Sequence, residues 1–222
     1  MLDADDIPVD LLYQNLKELE IINKFLGGHT ISLKGLKEIV KDRAKKYCII
    51  DIGCGGGDSL KAISKWSSLN GIKIQLTGID LKQDCIKYAQ DNCAGYDEIY
   101  LRCDDFRNAF AEHDLINVVH ASLFCHHFTE KEIVAFIKLC SINGATFLIN
   151  DLERTSIAYH SIKLLTKLFS KSSLVKNDAP LSVLRGFKKS EWIIMLKQAG
   201  IKKYSVKNCW AFRHLVIAYP NA

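Results

Sequence analysis

The chain has 222 residues, of which 48% are apolar and 25% charged, with 13 glycines and 3 prolines. This average composition excludes a disordered, collagen-like or coiled-coil chain, and no apolar stretch approaches the roughly 20 residues that a membrane-spanning helix needs. The net charge of +5 comes from basic residues dispersed in short clusters rather than gathered in one stripe, so a nucleic-acid partner is not favoured.

The cysteines and the N-terminus bear on the cellular compartment. Eight cysteines are present, but none forms a C-x-x-C pair with the spacing of a metal site. Residues 1–10 are acidic and lack the basic and apolar regions of a secretory signal. We therefore expect a cytoplasmic protein with reduced thiols and no bound metal.

The hydrophobic pattern predicts helices first and then an alternation of strands and helices. Helical spacing of apolar residues covers 9–26 and again Ser32 to about Lys46. The following pattern predicts a strand at 47–52, a helix at 58–69, a strand at 73–79, a helix at 82–93, strands at 98–103 and 114–122, a helix at 130–141 and a strand at 146–151. Strands separated in this way favour a parallel sheet in an α/β fold.

The alternation stops after Asp151. An apolar stripe at 157–169 predicts a cap or lid helix, Ser190 is expected to cap a helix ending at Ala199, and runs at 204–210 and 213–219 predict an antiparallel hairpin. We predict a single domain over residues 1–222, with a helical cap at 1–46, a core at 47–151, an insertion at 152–189 and a C-terminal helix and hairpin at 190–222.

The glycine-rich segment after the first strand is the most informative motif. Glycines let the backbone approach a ligand closely, and the start of the following helix favours an anionic group. The dinucleotide pattern G-x-G-x-x-G fails, because Asp58 or Leu60 stands at its last glycine, and no Gly-Lys-Ser/Thr ending of a P-loop is present. The pattern that fits is D-x-G-x-G-x-G, at Asp51, Gly53, Gly55 and Gly57.

This motif resembles the first motif of class I S-adenosylmethionine-dependent methyltransferases. The resemblance implies a Rossmann-like, seven-stranded mixed sheet with helices on both faces, and S-adenosylmethionine as the cofactor. Asp80 ends the second strand, where the family's acidic residue accepts hydrogen bonds from the ribose, and residues 104–106 follow the third strand, where the family holds adenine. The implied cofactor-binding residues are Asp51, Gly53, Cys54, Gly55, Gly57, Asp58, Asp80, Leu81, Asp104, Asp105, Phe106 and Ala121.

Two adjacent histidines stand in the loop that, by this resemblance, borders the reacting methyl group. A hydroxyl acceptor must lose its proton, and histidine suits that task at neutral pH. His127 and His126 are therefore the candidate catalytic residues, with His127 the first choice. The alternative is that the pair only closes the loop by hydrogen bonding. The loop lacks an Asn-Pro-Pro-Tyr or Asp-Pro-Pro-Tyr run, which disfavours methylation of adenine or of protein amides.

The sequence thus predicts methyl transfer to a small apolar or phenolic acceptor, most simply on oxygen. Residues 13–28 and 150–154 resemble a bacterial small-molecule group with quinone-like or phenolic acceptors. The alternatives are carbon methylation of a quinone precursor and a non-catalytic cofactor-binding partner protein. Tyr13 and Asn15 are candidate lining residues of the cofactor cleft, and peripheral membrane contact through the 157–169 stripe is left open.

Overall fold

The computed structural model describes residues 7–110 and 115–221. Their strands form one sheet in the order β3-β2-β1-β4-β5-β7-β6. The strands are β1 Lys46–Ile52, β2 Lys73–Asp80, β3 Ile99–Cys103, β4 Val118–Ser122, β5 Thr146–Leu152, β6 Tyr204–Cys209 and β7 Arg213–Ala218. The helices are α1 Val9–Phe25, α2 Gly28–Ile39, α3 Asp58–Leu69, α4 Gln83–Asn92, α5 Glu130–Ile142, α6 Ser156–Phe169, α7 Ser173–Arg185 and α8 Lys189–Gln198.

Strands β1 to β5 run parallel, and β7 is antiparallel to both of its neighbours. The predicted seven-stranded mixed sheet with a C-terminal hairpin is therefore confirmed. The strand order reverses between β1 and β4, which lie side by side. In open α/β sheets the crevice outside the carboxyl ends of the strands at such a reversal is the usual ligand site.

Helices cover both faces of the sheet, as predicted. The neighbouring residues Ile49 and Ile50 of β1 are both fully buried but point to opposite faces, since successive side chains of a strand alternate. Ile49 belongs to a core with residues of α2, α3 and α4, whereas Ile50 packs in a second core with residues of α5 and α8. This two-sided burial explains why β1 is a nearly continuous apolar run.

The remaining helices α1, α6 and α7 pack against one another. Helix α1 contacts α7, and α6 contacts α7. The Glu18 carboxylate of α1 accepts hydrogen bonds from the backbone N–H groups of Lys171 and Ser172, at 3.2 and 3.0 Å. The insertion after β5 is thereby fixed to the N-terminal helix.

Several helix and strand boundaries differ from the sequence prediction. Helix α2 begins at Gly28, because Gly27 adopts a left-handed conformation with φ of 70° and reverses the chain directly after α1. It ends at Ile39, where Val40 becomes extended, so the basic cluster at 41–46 is loop and strand rather than helix end. Helix α8 follows Lys188 rather than Ser190.

Two further differences concern β4 and α7. Strand β4 starts at Val118 rather than at residue 114, which lies outside the described residues. Helix α7 was missed, because Pro180 at its middle lacks the N–H that a helix interior uses. Among the described residues, no helix combines the length and apolar character needed to span a membrane.

Candidate active site

The glycine-rich loop joins the carboxyl end of β1 to α3. Gly53 has a φ of +64°, which residues with a side chain rarely adopt, and a Cβ there would lie 2.1 Å from Cδ2 of Phe124. Helix α3 begins at Asp58 without a side-chain hydrogen bond to its N-terminus. Its first N–H groups thus lack a side-chain acceptor, which suits a polar or anionic ligand.

Helix α1 lies across this loop. Cδ2 of Leu16 is 3.6 Å from the position that a Cβ would take at Gly55. Nearby, Tyr13 packs edge-on against Tyr88 of α4, with ring centroids 5.0 Å apart. The N-terminal helix therefore covers the glycine loop, and a ligand bound at the loop would lie beneath it.

Asp80 links the glycine loop to the end of β2. Its Oδ2 accepts a hydrogen bond from the Gly55 N–H at 2.9 Å, and its Oδ1 accepts one from the Lys82 N–H at 2.9 Å. Burial raises the pKa of this carboxyl above its ordinary value. The side chain of Leu81 beside it is 64% exposed. An ionised carboxylate has about four lone-pair positions, so Asp80 retains acceptor capacity for a ligand.

The turn after β3 carries three predicted site residues. Asp104 accepts from the Asn108 amide at 2.9 Å, which lowers the pKa of Asp104. Asp105 caps the following 3₁₀ turn by accepting from the Arg107 N–H at 2.9 Å. Phe106 is only 8% exposed and packs edge-on against other aromatic rings. Of these three predicted residues, Asp104 and Asp105 therefore present polar side-chain atoms near the protein surface, whereas Phe106 does not.

The other predicted cofactor residues are directed inward. Cys54 and Ala121 are buried, and burial raises the pKa of the Cys54 thiol. Oδ2 of Asp58 accepts from the Asn23 amide at 3.2 Å and lies 3.3 Å from Nε2 of His29. These side chains support the shape of the loop, whereas the partly exposed backbone at Gly53 and Gly55 remains available for contact with a ligand.

A buried polar network lies behind the loop. The Asp51 carboxylate pairs with His120, and Nε2 of His120 lies 2.8 Å from the Ser32 hydroxyl of α2. Asn150 of β5 donates to the same hydroxyl at 3.0 Å, and Arg213 of β7 lies 3.4 Å from the Asn150 amide oxygen. Burial lowers the pKa of Arg213 to about 10. The network joins the four strands β1, β4, β5 and β7 to α2.

His126 is held by a carboxylate that sequence analysis did not pair with it. Nδ1 of His126 is 2.8 Å from Oδ1 of Asp151, and the His126 backbone N–H donates to Oδ2 at 3.0 Å. Burial raises the pKa of Asp151, but the attraction of His126 and the donated hydrogen bonds outweigh it, so the net pKa is lowered. An ionised carboxylate only accepts hydrogen bonds. Nδ1 therefore carries the proton, and Nε2 carries the lone pair.

Both histidines line a cavity of about 580 Å³. Its walls come from α1, the loop after β4, α6, α7 and the β6–β7 turn, and they are mainly apolar. Among the apolar lining residues are Leu19, Ile22, Leu26, Leu123, Ile162, Leu165, Val175 and Phe212. The size is that of a small-molecule pocket, and its apolar walls favour an apolar ligand.

Helix α7 adds a polar strip to this cavity. Asp178, Ser182 and Arg185 all line it, and their spacing of four and three residues places them on one face of the helix. Arg185 was a sequence candidate for acceptor recognition, whereas Asp178 and Ser182 were missed together with their helix. The signal available was Ser172, a helix-capping residue followed by apolar residues at helical spacing.

Comparison with known proteins agrees with this geometry. Residues 49–142 match a family model described as a methyltransferase domain, and none of the curated proteins compared with the chain matches it in sequence. The plantazolicin methyltransferase BpumL, solved in complex with SAH, is 19% identical with a TM-score of 0.68, covering 99% of this chain and 91% of that chain. A SAM-dependent methyltransferase from Aquifex aeolicus is 17% identical with a TM-score of 0.65, covering 96% and 98%.

A third solved structure is longer than this chain. The CMeT domain of the citrinin polyketide synthase is 13% identical with a TM-score of 0.60, and this chain covers half of its length. The TM-scores of these three structures establish the shared fold. The match of residues 49–142 to a methyltransferase domain, the strand order and the glycine loop are together similar to those of class I methyltransferases, whose cofactor is S-adenosylmethionine.

Proposed function

We propose that the protein transfers the methyl group of S-adenosylmethionine to a hydroxyl oxygen of a small apolar molecule, with His126 as the general base. The observation that carries this proposal is the His126–Asp151 pair in the wall of an apolar cavity. A histidine held by a buried carboxylate has a fixed tautomer and orientation, which is what a general base requires.

The residues around the glycine loop fit the cofactor. The backbone of Gly53 to Gly57 would hold its amino-acid end, Asp80 its ribose, and Asp104 or Asp105 its adenine, with Leu81 alongside. Asn15 supports this fit, because its side chain is 1% exposed and neither its amide nitrogen nor its oxygen has a hydrogen-bond partner among the described residues. A polar group of a bound ligand would satisfy that amide.

The chain's own contribution to the chemistry is acceptor positioning and proton removal. When bound, S-adenosylmethionine supplies a methyl group on a sulfonium sulfur, which is already activated for displacement. The cavity walls would hold the acceptor with its hydroxyl beside His126. Nε2 of His126 would accept the hydroxyl proton, so that the acceptor oxygen could take the methyl group that S-adenosylmethionine would supply, with S-adenosylhomocysteine as the other product. Asp151 stabilises the resulting imidazolium.

The lining of the cavity supports the proposed acceptor class. Apolar side chains supply most of its walls, so an apolar ring or chain would fill it. The strip of Asp178, Ser182 and Arg185 on α7 would recognise a second polar substituent. Helix α7 contacts the 3₁₀ turn Cys125–His127, which brings this strip close to the histidines.

A cytoplasmic location is supported by the cysteines. All eight are free thiols, and burial raises the pKa of the Cys85 thiol to about 12. Free thiols persist in reducing compartments.

The test is transfer of a labelled methyl group from S-adenosylmethionine to a set of phenols and hydroquinones, with product analysis by mass spectrometry. We expect methyl ethers, and acceptors whose hydroxyl is already methylated should give no product. Products that retain a free hydroxyl would show carbon methylation instead. Cofactor binding without turnover of any acceptor would contradict the proposal and favour a partner protein.

Matched histidine variants test the general base. We expect His126→Gln to lower kcat by about 10²- to 10⁴-fold with little change in cofactor affinity. His127→Gln replaces the adjacent cavity residue and should have a smaller effect, because Asp151 pairs with His126. A larger loss for His127→Gln would assign the base to His127.

A further inference from the structure

Helix α6 has an apolar face that no described residue covers. Ile157, Leu164 and Leu168 are 68%, 60% and 65% exposed, and their spacing of seven and four residues places them on one side of the helix. A different side of α6 carries Ala158 and Ile162, which line the cavity. The helix is therefore apolar both toward the cavity and toward solvent.

The exposed apolar surface continues onto neighbouring elements. Phe25 at the end of α1, Phe169 at the end of α6 and Trp210 in the β6–β7 turn are 80%, 77% and 75% exposed. Trp210 lies 3.8 Å from the Cβ position of Gly27, just beyond α1. We refer to Phe25, Ile157, Leu164, Leu168, Phe169 and Trp210 as the apolar rim. Exposed apolar groups on this scale mark an interaction surface.

The charges beside the apolar rim are of one sign along α6. Lys163 and Lys167 lie on the helix, Lys171 follows it, and all three are exposed, whereas α6 contains no acidic residue. An amphipathic helix with exposed apolar residues and flanking lysines suits an anionic lipid surface. A symmetric pair of this chain through α6 would instead bring the lysines of both copies together without carboxylates on α6 to pair them.

The apolar rim and the cavity share their elements. α1, α6 and the β6–β7 turn all line the cavity, and Trp210 belongs both to the cavity wall and to the rim. We propose that the apolar rim docks on an anionic lipid bilayer, from which an apolar acceptor dissolved in the lipid enters the cavity. The acceptor half of this statement rests on the proposed function, whereas the docking itself does not.

The test uses the full chain and two kinds of vesicle. We expect the protein to sediment with vesicles of phosphatidylcholine mixed with phosphatidylglycerol, more weakly with phosphatidylcholine alone, and less as salt increases. The fluorescence of Trp210 reports contact, because the other two tryptophans, Trp66 and Trp192, are buried. Its emission should shift to shorter wavelength on mixed vesicles and be quenched by brominated lipid.

Variants separate docking from folding and from methyl transfer. The triple change Ile157→Gln, Leu164→Gln and Leu168→Gln should weaken vesicle binding by about tenfold or more. The matched control is Leu69→Gln with Ile142→Gln, which alters residues that are 77% and 83% exposed at the ends of α3 and α5. The control should bind vesicles as the native protein does. All variants should keep the native affinity for S-adenosylhomocysteine.

Three outcomes would overturn the proposal. The first is that the native protein binds the cofactor but no vesicles. The second is that the control variant loses as much vesicle binding as the triple variant. The third is that light scattering shows a dimer for the native protein and a monomer for the triple variant. Failure of the methyltransferase proposal would look different, since cofactor binding or turnover of soluble acceptors would then be lost while vesicle binding persisted.

Discussion

Oδ1 of Asp51 lies 2.7 Å from Nδ1 of His120, and both side chains are almost completely buried. Asp51, the first residue of the glycine motif, therefore directs its carboxylate to His120 of the neighbouring strand. The two residues lie opposite each other because β1 and β4 pair in that register. Through Ser32 the same histidine reaches α2. The position of the glycine loop is therefore coupled to the N-terminal helices.

Removal of the Asp51 carboxylate should destabilise the fold. Breaking a buried pair leaves its partner without compensation, so Asp51→Ala should lower the free energy of unfolding by about 3–5 kcal/mol. Asp51→Asn should cost less, because its amide oxygen still accepts from Nδ1 of His120. Urea unfolding measures both. The exposed Asp84, replaced by alanine, is the control, and an equal effect there would contradict the structural role of Asp51.

A comparison of two glycines distinguishes steric crowding of an added side chain from strain of the left-handed backbone. Gly53 and Gly71 both have a φ of +64°, but only at Gly53 would a Cβ meet another residue, the Phe124 ring. Gly71→Ala should cost about 1–2 kcal/mol of stability from the left-handed backbone. Gly53→Ala should add a further ~1–3 kcal/mol from overpacking and weaken binding of S-adenosylhomocysteine.

Thermal and urea unfolding, with calorimetric titration of the cofactor product, check this pair. Equal stability losses in the two variants would show that the Phe124 ring moves aside freely. An unchanged cofactor affinity in a folded Gly53→Ala variant would show that the loop does not contact the ligand.

Much of the framework was predictable because its signals are local. Helix α3 has the predicted bounds, since its start follows the glycine loop and its apolar residues recur at helical spacing. The two C-terminal strands were likewise evident from two β-rich runs and a short turn. The middle of the insertion was not, because Pro180 interrupts the helical signal of α7, and only its packing against α1 and α6 overrides that interruption.

Side-chain direction was the less predictable part of the site. The glycine motif marks Asp51, but the inward turn of its carboxylate depends on His120, 69 residues away. Sequence analysis favoured His127 over His126 without a physical distinction between adjacent residues. The distinction arises from Asp151, 25 residues further along, which reaches both Nδ1 and the backbone N–H of His126. Such side-chain pairs depend on the order of the strands in the sheet, which local sequence patterns do not predict.

Asp80 should govern cofactor affinity. Asp80→Asn should weaken binding of S-adenosylhomocysteine by about tenfold or more, or roughly 1.4 kcal/mol, because the charged acceptor that we propose for the ribose becomes neutral. Asp84→Asn, four residues further on and paired with Lys87 at the surface, is the control and should bind normally.

The same carboxyl predicts a pH dependence of binding. Burial raises the pKa of Asp80, so protonation should begin above the ordinary value of 3.8, and affinity should fall there as the pH decreases. Calorimetric titration across the acidic range measures this. A pH profile that is identical in Asp80→Asn would assign the loss of affinity to another group.

The ionised carboxylate of Asp151 should stabilise the folded protein, and this contribution should be lost at acidic pH. Its pKa in the folded protein is lowered, so the contribution is present above the unfolded value near 3.8 and is lost as the pH falls through the lower folded value. Asp151→Asn should therefore be less stable than the native protein at neutral pH, and the difference should narrow in acid. Urea unfolding at several pH values measures the difference in the free energy of unfolding, and a difference that does not change with pH would contradict the pairing of an ionised Asp151 with His126.

Cys103 offers a chemical probe of the cofactor pose. It is the one exposed cysteine among the described residues, it pairs in register with Asp80, and its thiol lies 3.3 Å from the Leu81 carbonyl oxygen. Burial raises the pKa of this thiol, so its reaction with a maleimide should accelerate as the pH increases.

Saturating S-adenosylhomocysteine should slow labelling of Cys103 several-fold, because the ligand would cover the adjacent ends of β2 and β3. Cys48, near the amino end of β1 and therefore at the opposite edge of the sheet from Asp80, is partly exposed and should react at the same rate with and without the ligand. Peptide mass spectrometry distinguishes the two sites. If the ligand binds but protects neither thiol, the adenosine does not lie beside Asp80, and the assignment of Asp104 and Asp105 to the adenine would be wrong.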